Sequence, residues 1–255
     1  MAELVYPPVL TLFRGVFRGL GIRFTMEGAE HLPAEGGAVL ASNHISYLDF
    51  AFAGRLALDR GRLVRFMCKE SVFRNPVAGP LMRGMHHIPV DRAAGAAAFG
   101  HAVRALGAGE IVGVFPEATI SRSFMLKEFK SGAARMAQEA GVPIVPMAIW
   151  GGQRIYTKAH KIDAGRGKAV MLKAGEAFLP APDAGVAEIT AELHRRVGAL
   201  LKDLQDRYPQ HPSDEADGWW LPAERGGSAP TPERARELDI ADAAARRARK
   251  QKKRG

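Results

Sequence analysis

The chain has 255 residues, 47% of them hydrophobic, enough for one large α/β domain, because a single core serves chains of up to roughly 250 residues. Its 36 Lys plus Arg stand against 27 Asp plus Glu, a formal charge of +9, which points to an anionic partner: a membrane, a nucleic acid or a phosphorylated substrate. The single cysteine, Cys68, excludes an internal disulfide and suits a reducing compartment, and no run of about 18 apolar residues offers a membrane-spanning helix.

Residues 8–20 are predicted to be helical, with Val9, Leu10, Leu12, Phe13, Val16, Phe17 and Leu20 on a broad apolar face and Arg14 and Arg18 on a narrow polar strip. Such a helix lies in a membrane interface or packs on the core, and a half-docked helix does both. The N-terminus lacks a charged-then-apolar leader with a small-residue cleavage site, so a cytoplasmic location is expected. Apolar runs at 38–41, 63–68, 87–90, 111–115, 144–149 and 170–172 are predicted strands. Helical patterns lie among them at 49–58, 93–107 and 130–140, the last closed by Gly141 as C-cap with Pro143 beyond. This alternation predicts a single α/β domain with a mostly parallel or mixed sheet flanked by helices. Cys68, inside the run 64–68, reads as a buried strand thiol rather than an activated nucleophile.

Residues 186–206 make a further amphipathic helix through Ile189, Leu193, Val197, Leu200, Leu201 and Leu204. The character then changes. Tyr208-Pro209-Gln210-His211-Pro212 breaks the helix, Trp219-Trp220-Leu221-Pro222 forms a short aromatic plug, and Gly226-Gly227-Ser228-Ala229-Pro230 reads as linker. The last stretch is charged and Ala-rich, helical or disordered, and too poor in large apolar side chains to bury a face. It ends in seven bases without an acid: Arg246, Arg247, Arg249, Lys250, Lys252, Lys253 and Arg254. The expected division is therefore a membrane-associating helix (1–24), the α/β domain (25–207), a linker with a Trp-Trp plug (208–231) and a basic tail (232–255).

Three segments carry chemistry. Asn43-His44-Ile45-Ser46-Tyr47-Leu48-Asp49 follows a predicted strand and opens a helix, where open α/β sheets collect functional groups. Asp49 can fold back onto the His44 imidazole from the first helical turn. A carboxylate on one ring nitrogen fixes the tautomer and leaves the other nitrogen free to take a proton. A base with an orienting acid, and no serine or cysteine nucleophile built beside it, suits deprotonation of a hydroxyl for direct attack on an acyl group. The alternative is a helix-capping histidine beside an ordinary surface acid.

The second segment, Gly84-Met85-His86-His87-Ile88-Pro89-Val90-Asp91-Arg92, delivers charge at a strand end. Arg92 suits a phosphate through its planar fork, or forms a loop-stabilising network with Asp91. Adjacent His86 and His87 on a strand face opposite ways, so no shared metal is expected. The third, Val114-Phe115-Pro116-Glu117-Ala118-Thr119-Ile120-Ser121-Arg122-Ser123, gathers Glu117, Thr119, Ser121 and Arg122, a set that suits a glycerol-phosphate-like head group. Phe129-Lys130-Ser131-Gly132-Ala133 then enters a helix whose first amides can hold an anion or a developing oxyanion. Lys69, at another strand end, adds positive charge or is merely solvated.

Together these segments resemble the bacterial 1-acylglycerol-3-phosphate acyltransferases, within the wider glycerolipid acyltransferase superfamily. His44 and Asp49 match the family's His-x4-Asp motif, and 84–92 looks like its second block, ending in Val-Asp-Arg. Phe115-Pro116-Glu117 begins its third block, usually Phe-Pro-Glu-Gly-Thr-Arg, and Val142-Pro143-Ile144-Val145-Pro146 is similar to its fourth. The resemblance covers about 35–150 and extends toward 205. It implies that His44, oriented by Asp49, activates the free glycerol hydroxyl to attack the thioester of acyl-CoA or acyl carrier protein. It also implies that basic residues of the second and third blocks hold the phosphate, with no covalent acyl-enzyme, no metal and no cofactor beyond the acyl donor.

Two residues depart from the pattern. Ala118 stands where the family has Gly, and Ile120 where it has Arg. Arg122 with Lys69 is the expected substitute for the missing phosphate ligand; the other possibility is a different acceptor, such as glycerol 3-phosphate, a lysophospholipid or a glycolipid. The basic tail, without interleaved aromatics, does not suit nucleic acid. At roughly 1 kcal/mol per base near an anionic leaflet it suits peripheral attachment to the cytoplasmic face of a membrane. A non-catalytic membrane-binding protein remains the rival class; a serine hydrolase is disfavoured by the lack of a Gly-x-Ser-x-Gly elbow.

Overall fold

The computed structural model of the chain describes residues 3–91 and 95–252. Helix α1 (Tyr6–Gly19) and strand β1 (Arg23–Glu27) come first, followed by β2 (Ala38–Ser42), α2 (Asp49–Leu58) and β3 (Val64–Lys69). Two short helices, α3 (Glu70–Phe73) and α4 (Ala78–Gly84), lead to β4 (Ile88–Val90), α5 (Gly95–Gly107), β5 (Ile111–Val114), α6 (Gly132–Ala140), β6 (Ile144–Trp150) and β7 (Ala169–Ala174). Helices α7 (Val186–Asp206) and α8 (Pro232–Lys252) complete the chain.

The strands form one mixed sheet in the order β1-β7-β6-β2-β5-β3-β4. Strands β2 to β6 run parallel, whereas β7 is antiparallel to β6 and parallel to β1. The chain leaves β2 toward one edge for β3, β4 and β5, then crosses to the other side for β6 and β7. The carboxyl end of β2 is thus a switch point, where the crossovers diverge and leave a crevice. Strands covered on both faces read as continuous apolar runs, and every residue of β2, β5 and β6 is buried. Phe17, Phe52 and Leu56, from α1 and α2, cover one face. Leu106, Met136, Ala137, Leu193 and Val197, from α5, α6 and α7, cover the other. Burial of each such large side chain contributes roughly 1.5–3 kcal/mol.

The predicted strands and the four longer helical patterns after α1 all have counterparts. Gly141 caps α6 in the left-handed conformation at φ 62°. Three elements went unpredicted: β1, and the two short helices α3 and α4. Helix α1 is half-docked. Phe13 and Phe17 pack against Phe50 and Phe52 and Tyr6 bonds the Val64 carbonyl, while Leu12 and Val16 remain 64% and 45% exposed. Among the described residues no helix is long and apolar enough to cross a membrane.

Residues 208–231, expected as a linker with a Trp-Trp plug, pack onto the domain. Tyr208, Trp220 and Ala229 are buried in a cluster with Trp150, Phe124 and Leu204. The Tyr208 hydroxyl donates to the Ala169 carbonyl at 2.8 Å, and Arg154 stacks over Trp220. The tail is helical through α8. Among its described side chains, only Ala235 reaches the buried class, so α8 docks with little apolar area. Arg92 and the side chains of the seven terminal bases lie outside the described residues.

Candidate active site

As the chain leaves β2, Asn43 replaces a strand pairing with its side chain: its amide donates to the Ile149 carbonyl at 3.0 Å and accepts from the Ile149 N–H at 2.8 Å. This ties the start of the loop to β6. His44 follows, and α2 begins at Asp49. The Asp49 side chain is fully buried, and its Oδ2 accepts three bonds: from His44 Nδ1 at 2.9 Å, and from the Ile45 and Ser46 backbone N–H groups at 2.7 Å each. The two backbone donors hold the carboxylate aimed at the imidazole. With Nδ1 as donor to Asp49, the lone pair of the neutral ring sits on Nε2.

The imidazole is fixed from other sides as well. It stacks on Phe115 with centroids 4.3 Å apart, and Phe115 stacks in turn on Phe66. Gly113 makes room for Phe66, whose ring lies 2.5 Å from where a Cβ at 113 would sit. The His44 side chain keeps 21% of its surface exposed, so the ring is supported yet reachable. Ser46 cannot serve as its nucleophile: the hydroxyl is turned away and donates to the Tyr156 carbonyl at 2.7 Å. Thr157 Oγ1 donates to the Ile45 carbonyl at 2.6 Å, so the segment 156–157 is clamped to the 43–49 loop.

The third block lies alongside, after β5. Glu117 Oε1 accepts the His44 N–H at 2.7 Å and Oε2 accepts the Lys127 N–H at 3.2 Å, while the Ser121 N–H donates back to the His44 carbonyl at 2.8 Å. Burial pushes the Glu117 carboxyl up to about 8, against the pull of its two backbone N–H donors and of Lys127. Glu117 and Ser121 were expected to meet substrate. Both are instead buried, and the Ser121 hydroxyl is spent on the Met125 carbonyl, so they shape the loop that holds His44. Thr119 accepts from Lys127 Nζ at 2.7 Å.

Ile120 is buried in packing. Arg122 reaches the carboxylates of Asp239 and Asp242 on α8, where Lys127 and Lys158 join it. Sequence reasoning missed both lysines of this cluster. No local pattern marks either lysine; both arrive through loop folding. Lys69 ends β3 beside Val90 of β4, exposed at the same carboxyl edge as His44, and Lys130, also exposed, donates its N–H to the Pro116 carbonyl. Ala118 takes the left-handed conformation at φ 60°, which explains why glycine is usual there.

Elsewhere, His87 is buried with Nδ1 accepting the Phe66 N–H, and burial pushes it down to about 4; His86 lies apart, near Glu3. Burial pushes the Cys68 thiol up to about 11, consistent with a strand thiol rather than a thiolate.

A carboxylate-oriented imidazole at the switch point of an α/β sheet, its neighbouring hydroxyl turned away, is an arrangement able to take a proton from an external hydroxyl or water. The chain belongs to the acyltransferase family, whose model matches residues 23–150, from β1 through β6. It is similar to the 1-acyl-sn-glycerol-3-phosphate acyltransferase of Bacillus subtilis, 31% identical over 186 residues, or 71% of this chain and 87% of that protein. The protein of the same name from Borreliella burgdorferi is 27% identical over 146 residues, 54% of this chain and 55% of the relative. Among solved structures, the 1-acyl-sn-glycerophosphate (LPA) acyltransferase PlsC of Thermotoga maritima superposes with a TM-score of 0.68 at 23% identity, covering 80% of each chain, and so shares the fold.

Proposed function

We propose that this acyltransferase moves a fatty acyl group from acyl-CoA or acyl carrier protein to the sn-2 hydroxyl of 1-acylglycerol 3-phosphate, with His44 as general base. The observation that carries the reading is the single Asp49 oxygen that gathers His44 Nδ1 and two backbone N–H groups, leaving Nε2 as the available base. In the reaction, Nε2 takes the proton of the acceptor hydroxyl as its oxygen attacks the thioester carbonyl. Asp49 stabilises the imidazolium. Collapse of the tetrahedral intermediate breaks the carbon–sulfur bond, and the departing thiolate recovers the proton from His44. No covalent acyl-enzyme, metal or resident cofactor is needed.

The half-docked α1, with Leu12 and Val16 exposed beside Arg14 and Arg18, supports peripheral attachment to an anionic membrane at its cytoplasmic face, where a lysolipid acceptor resides. The buried Ile120 in place of an arginine favours a second reading, acylation of a different acceptor such as glycerol 3-phosphate or another lysolipid. An acceptor screen with purified protein and vesicles, run with both donors, separates the two. The first reading expects kcat/KM for 1-acylglycerol 3-phosphate at least tenfold above that for any other acceptor; a tenfold preference for another acceptor replaces it with the second.

A further inference from the structure

Three cations converge in front of the 43–49 loop. Arg122, Lys127 and Lys158 come from different stretches of chain, and each stretch is tied to the site: Lys127 through its N–H on Glu117, Lys158 by following the clamped Tyr156 and Thr157, and Arg122 by following Ser121, which bonds the His44 carbonyl. Their counter-charges come from the C-terminal helix. Asp239 accepts from Arg122 Nε at 3.1 Å and Lys127 Nζ at 3.0 Å and pairs with Lys158; Asp242 pairs with Arg122 and lies 3.5 Å from Lys158. The three positive side chains are only 11–32% exposed.

Among its described side chains, α8 contributes little else to its docking. Ala235, Leu238, Asp239 and Asp242 form one stripe at helical spacing, and Ile240 remains 65% exposed. A helix held chiefly by carboxylates on a cationic cluster is exchangeable where an incoming anion takes over the same donors as the carboxylates leave, so that no cation is stranded. A phosphate gathers its charge and acceptor oxygens on one centre and pairs with Arg in a bidentate fork.

We propose that Arg122, Lys127 and Lys158 form a phosphate-binding site whose internal occupant is the Asp239–Asp242 pair of α8, so that a phosphate-bearing ligand and α8 compete for it. The phosphate comes from the acceptor's head group or from an anionic lipid of the membrane. The inference deepens the acceptor-phosphate reading above, and its readouts are binding measurements that need no turnover, so it stands or falls separately from the acyl-transfer chemistry.

The test is hydrogen exchange of α8 amides in the full chain, with and without sn-glycerol 3-phosphate, and separately with phosphatidylglycerol vesicles. Faster exchange, by at least threefold, is expected with one or both probes. Release by sn-glycerol 3-phosphate assigns the site to a head group; release by vesicles alone assigns it to membrane lipid. No change with either probe overturns the proposal, as does an equal response to glycerol or to phosphatidylcholine vesicles. In the second arm, Asp239→Asn with Asp242→Asn binds whichever probe acts at least threefold more tightly. Arg122→Gln with Lys158→Gln exchanges quickly without any probe and responds to none. Unchanged affinity in the Asn pair means that α8 is a structural clasp only, and overturns the competition.

Discussion

Asp49→Asn isolates the charge of the orienting group from its shape. Three donors converge on Oδ2 at 2.7–2.9 Å, whereas Oδ1 is buried without a hydrogen-bond partner. The asparagine amide therefore places its oxygen where Oδ2 was and its NH2 where Oδ1 was, since the reverse sets NH2 against three donors. That orientation keeps Nδ1–H as donor and preserves the His44 tautomer. The variant loses only the negative charge beside the imidazolium. A hydrogen bond to a charged group contributes about 1.5–3 kcal/mol, so kcat is expected to fall roughly 10- to 150-fold. KM stays near the wild-type value for both substrates, because a fully buried Asp49 touches neither. The unpartnered buried amide costs about 1–3 kcal/mol, leaving a folded protein with Tm lowered by roughly 2–12 °C. Steady-state kinetics of acyl transfer and a thermal melt measure both. A folded variant with kcat within threefold of wild type refutes the idea that Asp49 stabilises charge on His44.

Two further outcomes follow from strained or buried residues. Ala118→Gly relieves a left-handed alanine and should stabilise the protein by about 0.5–1 kcal/mol after the added freedom of the unfolded chain is counted, read as a higher denaturation midpoint; a lower midpoint contradicts it. His87 is held neutral by burial, about 4 in the fold against 6.5 unfolded. Below pH 6.5 the unfolded chain takes up a proton that the folded chain refuses. The stabilising contribution is thus complete above pH 6.5 and fades toward pH 4, by about 3 kcal/mol in all. Urea titrations at pH 7.5 and 5 should show this acid loss reduced in His87→Leu, and an equal loss in both proteins would rule the residue out.

The sheet was legible because β2, β5 and β6 are buried along their whole length and read as mostly apolar runs. Strand β1 was not: Arg-Phe-Thr-Met-Glu is a short edge strand with charged ends, and only β7 makes it one. The linker reading of 208–231 followed from its Pro and Gly residues, but Tyr208 and Trp220 find their partners on β6 and β7, at a range no local pattern reports. At the site, His44 and Asp49 were readable because five residues of chain hold the pair. Glu117 was readable as important but not as buried, and burial turns it from a substrate ligand into a brace for His44. The lysines at 127 and 158 gain meaning only when α8 lays its carboxylates on them.

The most direct test is acyl transfer from thioester to 1-acylglycerol 3-phosphate by wild type and His44→Ala, supplied with both acyl-CoA and acyl carrier protein in the presence of vesicles. With His44 as the base, wild type forms the diacyl product with at least one donor, and His44→Ala falls by 10²-fold or more while its melting transition stays cooperative. Retention of more than a tenth of the wild-type rate in the folded variant would contradict general-base catalysis by His44.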